Sequence, residues 1–104
     1  MTGSAGAIPP QVLTRFTLAE GRLYPMALSD PEGYERAIRL VGLVAEELRG
    51  QCADLQSVID RRDALIAALP GLAEANQLDL GGLPADAVVD AASALRCREL
   101  QARA

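Results

Sequence analysis

Residues 30–69 have the sequence DPEGYERAIRLVGLVAEELRGQCADLQSVIDRRDALIAAL, and they decide the fold expected for this chain. Apolar side chains recur in this stretch at alternating spacings of four and three, which places them on one face of an α-helix in a heptad pattern. We call this face the apolar stripe; it consists of Tyr34, Ile38, Val41, Ala45, Leu48, Cys52, Leu55, Ile59, Ile66 and Leu69. Only Arg62 interrupts the series. The stretch therefore predicts one long helix, or two helices nearly in line.

The two ends of this predicted helix carry ordinary start and stop signals. Ser29 or Asp30 suits the N-cap, because its side-chain oxygen accepts a hydrogen bond from a backbone N–H that otherwise has no partner. Pro31 suits the first helical position, where a missing N–H costs nothing. Pro70 and Gly71 follow the last residue of the stripe and predict that the helix ends there.

Gly50 leaves the continuity of the helix open. A glycine inside a helix costs roughly 0.5–1 kcal/mol relative to alanine, which favours a break at Arg49-Gly50. The heptad phase is kept across it, however, because Leu48 and Cys52 are still four residues apart. We therefore expect a continuous helix over about 31–69, with the break near Gly50 as the alternative.

The apolar surface of this stretch is not uniform in width. Between Ala37 and Leu48 additional apolar residues join the stripe, namely Ala37, Leu40, Leu43 and Val44. A face this wide must contact more than one neighbour, so the first half is predicted to lie in the core of a bundle. Beyond Gly50 the stripe narrows, which is typical of contact with a single partner helix.

The stretch before Asp30 allows two interpretations. Pro9-Pro10 can open a helix whose apolar residues are Val12, Phe16, Ala19 and Leu23, and Pro25 should end it, because the residue before a proline avoids the α region. The alternative for residues 10–28 is a β-hairpin over 16–24 that turns at Glu20-Gly21, since Phe, Thr and Tyr favour strands. We prefer the helix, because a lone hairpin needs a surface to pack on.

The remaining segments complete an all-α architecture. Residues 72–77 suit a short helical turn, 78–84 are a loop by their glycines and proline, and Ala85 to about Ala102 form the last helix. We expect an antiparallel three- to four-helix bundle built on the long central helix. Residues 1–8 are expected to be a disordered tail and 9–104 a single helical domain.

Composition excludes several classes of function. The chain is 50% hydrophobic but only 3% aromatic, so its core must be built from aliphatic side chains. Its net charge is −4, it has no histidine, and all of its basic residues are arginines, which makes direct nucleic-acid binding improbable. Neither a signal peptide nor an apolar run of membrane-spanning length is visible in the sequence. We expect a cytoplasmic protein that does not contact membranes.

The two cysteines do not suggest a metal or redox site. Cys52 belongs to the apolar stripe and is predicted to be a small buried residue. Cys97 lies between Arg96 and Arg98, whose charges can lower a thiol pKa, but an incidental surface or half-buried thiol is the simpler interpretation. Without histidine, two cysteines cannot form a structural zinc site of the usual kind.

The carboxylates also lack a catalytic or metal-binding pattern. Glutamates such as Glu20, Glu46 and Glu47 are the ligands of di-metal bundles, but that chemistry also requires Glu-x-x-His motifs. We expect these glutamates to lie on solvated helix faces. Gly81-Gly82 lacks the lysine and the remaining residues of a phosphate-binding loop. We predict no catalytic residue, no cofactor and no metal ion.

The leading functional hypothesis follows from the length of the stripe. The first and last helices are too short to cover all of it, and long exposed apolar stripes usually mark an interface. We expect a non-enzymatic protein–protein interaction module, paired with itself as a homodimer or with another helical protein. Its interface is predicted at Leu55, Ile59, Arg62, Ile66 and Leu69, with Arg62 beside an acidic residue of the other chain or reaching solvent.

Two other classes of function are weighed against this one. The alternative is a small regulator that binds a transcription-related protein, or an anionic ligand through Arg61 and Arg62 with Arg36 or Arg39 nearby. The third is an enzyme or a metal carrier, which the absence of histidine disfavours.

Overall fold

The computed structural model describes residues 8–103 and shows an all-helical bundle, with no strand in that range. Its helices are α1 (Pro10–Leu23), α2 (Met26–Ser29), α3 (Pro31–Gln51), α4 (Leu55–Asp60), α5 (Arg62–Ala75) and α6 (Ala85–Arg103). The predicted all-α class is confirmed, and the hairpin alternative is wrong. Residues 1–7 of the expected tail lie outside the described residues, whereas Ile8 packs partly against the core. Between residues 8 and 103, no helix has both the length and the apolar character that crossing a membrane requires.

Helix α1 forms as its apolar spacing predicts. Its four buried residues are Val12, Phe16, Ala19 and Leu23. Pro10 occupies the first turn, where the missing N–H has no helical partner to lose. The helix ends at Leu23, and Tyr24 remains in the α region with φ −64° and ψ −37°, so the expectation that the residue before Pro25 avoids this region is wrong. One apolar face is thus available to pack on the rest of the chain.

The predicted start of α3 is confirmed in its details. The Asp30 side chain accepts a hydrogen bond of 3.1 Å from the backbone N–H of Gly33, and Pro31 occupies the first turn. The wide apolar face is buried as expected; its buried members are Ala37, Leu40, Val41, Val44, Ala45 and Leu48. Leu43 is only half-buried and lies at the edge of that face.

The expectation of a continuous helix over about 31–69 is wrong. Helix α3 ends at Gln51, Cys52 is extended with φ −126° and ψ 118°, and α4 begins at Leu55. The break therefore lies two residues beyond Gly50. Asp54 stabilises it by capping α4 through a 2.8 Å hydrogen bond from the backbone N–H of Ser57. A second, smaller interruption at Arg61 separates α4 from α5.

The predicted stop at Pro70-Gly71 is also wrong, because α5 continues through Pro70 to Ala75. A proline inside a helix removes one backbone hydrogen bond and costs about 3 kcal/mol. Leu69 and Ala73 flank it on the buried face, with exposed fractions of 0% and 1%. Burial of this second half of the helix offsets the cost of the proline.

The centre of the bundle is α6 and not the stretch 31–69. Helix α6 packs against α1, α3, α4 and α5, and every residue from Ala87 to Ala94 is buried. Most of these buried residues are alanine or valine, and the small alanines let the neighbouring helices approach closely.

Helix directions depart from a strictly antiparallel array. The Arg49 guanidinium of α3 contacts the Glu99 carboxylate of α6 at 2.6 Å, so the last turns of the two helices lie together. Near their first turns, the Arg36 guanidinium lies against Gly81, shortly before α6 begins. Helices α3 and α6 therefore run in the same direction, which the long connection through α4 and α5 makes possible.

Candidate interaction surface

The apolar residues predicted for the interface lie mainly inside the molecule. Leu55 and Leu69 belong to the core, with exposed fractions of 7% and 0%. Ile59 and Ile66 are half-buried and pack against the same core. Helix α6, placed centrally, contacts both α4 and α5 and covers much of the stripe that was expected to need a second chain.

Arg62, the fifth predicted interface residue, is paired with a carboxylate of its own chain. Its Nε donates to Oδ1 of Asp90 at 2.7 Å, and its Nη2 donates to Oδ2 at 3.1 Å. The Asp90 side chain is only 7% exposed and that of Arg62 24% exposed. The hydrogen bonds to Asp90 raise the pKa of Arg62 against the opposing effect of its burial. This bidentate pair joins α5 to α6.

The arginines considered for an anionic ligand do not form one site. Arg61 is exposed and donates to the side chain of Gln51. Arg62 lines a cavity of about 110 Å³ between α1, α5 and α6, where Asp86 and Asp90 balance much of the positive charge. Arg39, in contrast, lines a different concavity on the outside of α3.

Two buried polar residues of α6 hold neighbouring elements, and the sequence analysis did not single them out for this role. One is Asp90; the other is Arg96, which is 4% exposed. Nη2 of Arg96 donates to the backbone carbonyl of Cys52 at 2.8 Å, and its Nη1 lies 3.3 Å from Glu99 Oε1. Asp90 is the one charged residue in 87–95, which could have identified it, since a buried charge requires a partner. Arg96 has no such signal, because other charged residues follow it closely.

Both cysteines are buried, and burial raises the pKa of each thiol. Cys52 is 2% exposed, as predicted, and Cys97 is 0% exposed rather than half-buried or at the surface. Burial raises the pKa of the Cys97 thiol to about 11, although Arg96 and Arg98 act in the opposite direction. Desolvation likewise raises the pKa of Cys52. Both thiols are therefore protonated at neutral pH.

The three glutamates weighed as metal ligands are each engaged elsewhere. Glu20 pairs with Arg98 at 2.9 Å, and Glu46 pairs with Arg49 at 3.1 Å. Glu47 accepts a 2.8 Å hydrogen bond from the Gln51 amide. In the part of the chain that the structure describes, no group of three or more acidic or cysteine side chains is arranged to hold a metal ion.

A concave surface lies along the outer side of α3, and we call it the α3 groove. It has a volume of about 390 Å³ and is lined by Arg39, Gly42, Leu43, Glu46, Asn76 and Leu78. Leu43 and Leu78 are half-buried side chains that pack against the core and present their remaining surface to the groove. Leu78 also borders a second concavity of about 440 Å³ beside Pro70, Glu74 and Leu80.

The end of α5 forms one wall of this groove. Gln77 adopts a left-handed conformation with φ 59°, and it donates its backbone N–H to the Glu74 carbonyl at 3.0 Å. The N–H of Leu78 reaches back to the Ala73 carbonyl at 2.8 Å. These two bonds define a Schellman motif, which reverses the chain after the helix. After this reversal Leu78 lines the same groove as Leu43.

Several large apolar side chains are also exposed on the first three helices. They are Leu13 at 48%, Leu18 at 63%, Tyr24 at 43%, Leu28 at 93% and Ile38 at 38%. Single exposed apolar residues are common on soluble proteins and are no evidence of a site by themselves. The α3 groove differs from them because it combines concave shape, apolar surface and charged residues.

Comparisons with protein-family models, with curated proteins and with solved structures find no match for this chain.

Proposed function

We propose that this protein acts without catalysis, as a helical module that binds another protein chain, and that its first partner is a second copy of itself. Another helical protein is the second candidate partner. The observation that carries the proposal is the α3 groove, with its volume of about 390 Å³, the half-buried Leu43 and Leu78 on its walls, and the charged Arg39 and Glu46 beside them.

The composition of the groove supports a binding role. Protein-binding and ligand-binding concavities combine apolar surface with a few polar groups that fix orientation. Leu43 and Leu78 supply apolar surface that is only partly covered, and Arg39 and Glu46 supply charges of opposite sign. The absence of catalytic residues, cofactors and nucleic-acid partners stays a prediction from the sequence.

The regulator hypothesis that relies on Arg61 and Arg62 has less support. Both guanidinium–carboxylate hydrogen bonds of Arg62 are made with Asp90, so an anionic ligand would have to displace a nearly buried carboxylate. Displacing it would leave Asp90 charged and unpaired, which costs several kcal/mol.

Sedimentation velocity over a range of micromolar concentrations tests the proposal. We expect a mass of twice the 10.9 kDa of the chain at the upper end of that range. Leu43→Asp should shift the protein to a monomer, because a charge would enter the apolar part of the contact. Leu100→Asp is the matched control, since Leu100 is also half-buried against the core but does not line the groove.

The Leu100→Asp control separates the loss of the dimer contact from a general loss of stability. If Leu100→Asp dissociates the dimer as strongly as Leu43→Asp, the effect comes from general destabilisation of the fold. A wild-type protein that is monomeric at every concentration would overturn the homodimer and leave only a different helical protein as partner.

A further inference from the structure

We infer that the α3 groove binds a second copy of this chain through antiparallel packing of α3 against α3, with a two-fold axis beside Gly42 and Leu43. Arg39 of each copy then pairs with Glu46 of the other. This inference rests on the proposed function, because it specifies the partner and the geometry of the same surface.

The spacing of the charges supports this geometry. Arg39 and Glu46 are seven residues apart, which is two helical turns or about 10.5 Å along the axis, so they lie on the same face of α3. The midpoint between them falls between Gly42 and Leu43. A two-fold axis at that midpoint places each charge opposite its complement in the second copy, and both ion pairs form at once. Two parallel helices in register would instead place like charges side by side.

Both charged groups are available for such a contact. Arg39 is exposed and makes no ion pair with any residue in the range 8–103. The Glu46 side chain is 73% exposed, and its ion pair with Arg49 uses only one of its carboxylate oxygens. Neither charge has to leave a buried partner in order to bind a second copy.

Gly42 fits the position at the axis. A Cβ atom added to it would meet no atom within 4 Å, so packing inside the chain does not explain a glycine there. Glycine in the middle of a helix weakens the helix. It does allow another helix to approach closely, and Leu43 of each copy can then enter the groove of the other beside Leu78.

Charge reversal tests the pairing. The dissociation constant of the dimer is measured by sedimentation equilibrium for the wild type, for Arg39→Glu, for Glu46→Arg and for the double variant. Each single reversal creates two like-charge contacts across the axis and should raise the constant about tenfold or more. The double variant restores opposite charges and should return the constant to near the wild-type value.

Two further variants separate the contact from stability. Gly42→Leu should weaken the dimer by a similar factor while the monomer keeps its helical circular dichroism, because a Cβ atom at this position meets no atom within 4 Å in the monomer. Arg103→Glu is the control for a change in net charge, since Arg103 lies at the exposed end of α6 and should leave the constant unchanged.

The possible outcomes are distinguishable. A wild-type dimer that responds to none of these variants would overturn the α3 pairing and leave the proposed function standing. Single reversals that weaken the dimer without recovery in the double variant would also overturn the two-fold pairing. A wild-type monomer would overturn the pairing together with the homodimer.

Discussion

Asp90 shows at the level of one residue how α5 is held on α6. Its carboxylate is nearly buried and receives two hydrogen bonds from Arg62. A buried ion pair adds little stability compared with a well-packed apolar pair, but removing one partner leaves an uncompensated charge. The pair therefore acts mainly by making other positions of α5 unfavourable, since any shift along α6 separates the two groups.

Arg62→Met should lower the free energy of unfolding by about 2–3 kcal/mol, because it leaves the Asp90 carboxylate without its partner in a nearly buried place. Urea denaturation measures the change. Arg61→Met is the matched control and should alter stability by less than about 0.5 kcal/mol, since that neighbouring arginine is exposed. The double variant Arg62→Met/Asp90→Asn should recover part of the loss. Equal effects of the two single arginine variants would show that the buried pair has no special role.

Gln77 occupies a position that favours glycine. Its φ of 59° lies in the left-handed region, which costs a residue with a Cβ about 1–2 kcal/mol. Gln77→Gly should therefore raise the free energy of unfolding by about 1 kcal/mol and the thermal midpoint by a few degrees. Gln77→Ala, which keeps the Cβ, should not raise stability; a comparable gain in that variant would locate the effect in the lost glutamine side chain.

Burial of the two cysteines predicts that their thiols react slowly in the native protein. The Cys97 thiol, with its pKa raised to about 11, should not react with a thiol reagent such as Ellman's reagent in the native protein at mildly alkaline pH. Both cysteines should react after unfolding in urea. Because the folded pKa lies above the unfolded value of 9.0, the contribution of this thiol to stability is present below pH 9.0 and is lost as the pH rises toward 11. Rapid labelling of the native protein would contradict the burial of Cys97.

The sequence predicts those features of the fold that depend only on residues close together in the chain. The cap at Asp30 and the proline after it depend on neighbours within three residues, and both were predictable. Arg62 is expected to pair with an acidic residue of another chain or to reach solvent, whereas it pairs with a carboxylate of its own chain. The sequence could not show that this carboxylate is Asp90, because the two residues are 28 positions apart and meet only through tertiary packing.

The break between α3 and α4 is the feature of the stretch 30–69 that its sequence does not predict. The heptad phase continues across residues 52–54, so periodicity alone could not distinguish a bent connection from an unbroken helix. Two contacts favour the break: Asp54 caps α4, and Arg96 donates to the carbonyl of Cys52 at the end of α3. The cap is a local signal that could have been recognised, whereas the Arg96 contact comes from a residue 44 positions away.

Two carboxylates, Glu99 on α6 and Asp54 at the start of α4, should make the stability of the protein sensitive to acid. The hydrogen bond from Arg49 lowers the pKa of Glu99 below its ordinary value of 4.5, and the backbone N–H of Ser57 lowers that of Asp54 below 3.8. A carboxylate with a lowered folded pKa stabilises the protein above its unfolded pKa, and the effect is lost as the pH falls through the folded value. The free energy of unfolding should therefore decline below about pH 4.5.

Urea titrations at a series of acidic pH values measure this decline. Glu99→Gln should be less stable than the wild type near neutral pH and should show a shallower dependence on acid, because it has lost one of the responsible carboxylates. Glu74→Gln is the control, since Glu74 is exposed and makes no ion pair with another described residue. Identical acid profiles for Glu99→Gln and the wild type would contradict the role of Glu99.

The largest difference between the expected and the observed fold is the central position of α6. Its low aromatic content and many alanines give little sign in the sequence of a central position. Small side chains carry little hydrophobic signal, yet they permit packing on every side. The all-helical class was predictable from composition and periodicity. Which helix occupies the centre was not, because that depends on how closely the backbones can approach one another.

Enlarging a central alanine should reveal this arrangement. Ala92→Leu adds volume at a residue that is 0% exposed, and overpacking of this kind costs about 1–3 kcal/mol. Ala102→Leu makes the same change on the exposed last turn of α6 and should alter the free energy of unfolding by less than about 0.5 kcal/mol. Thermal and urea unfolding measure both. Equal tolerance at the two positions would mean that α6 lies at the periphery after all.

The position of α6 in the chain also sets the order of events during biosynthesis. A ribosome adds about 5–20 residues per second, so α1 to α5 emerge before the helix against which four of them pack. Until α6 follows, the surfaces that these helices pack against it are uncovered and open to chaperones or to other nascent chains. The bundle can close only when its last helix has left the ribosome, and a translational pause shortly before Ala85 would prolong the vulnerable interval.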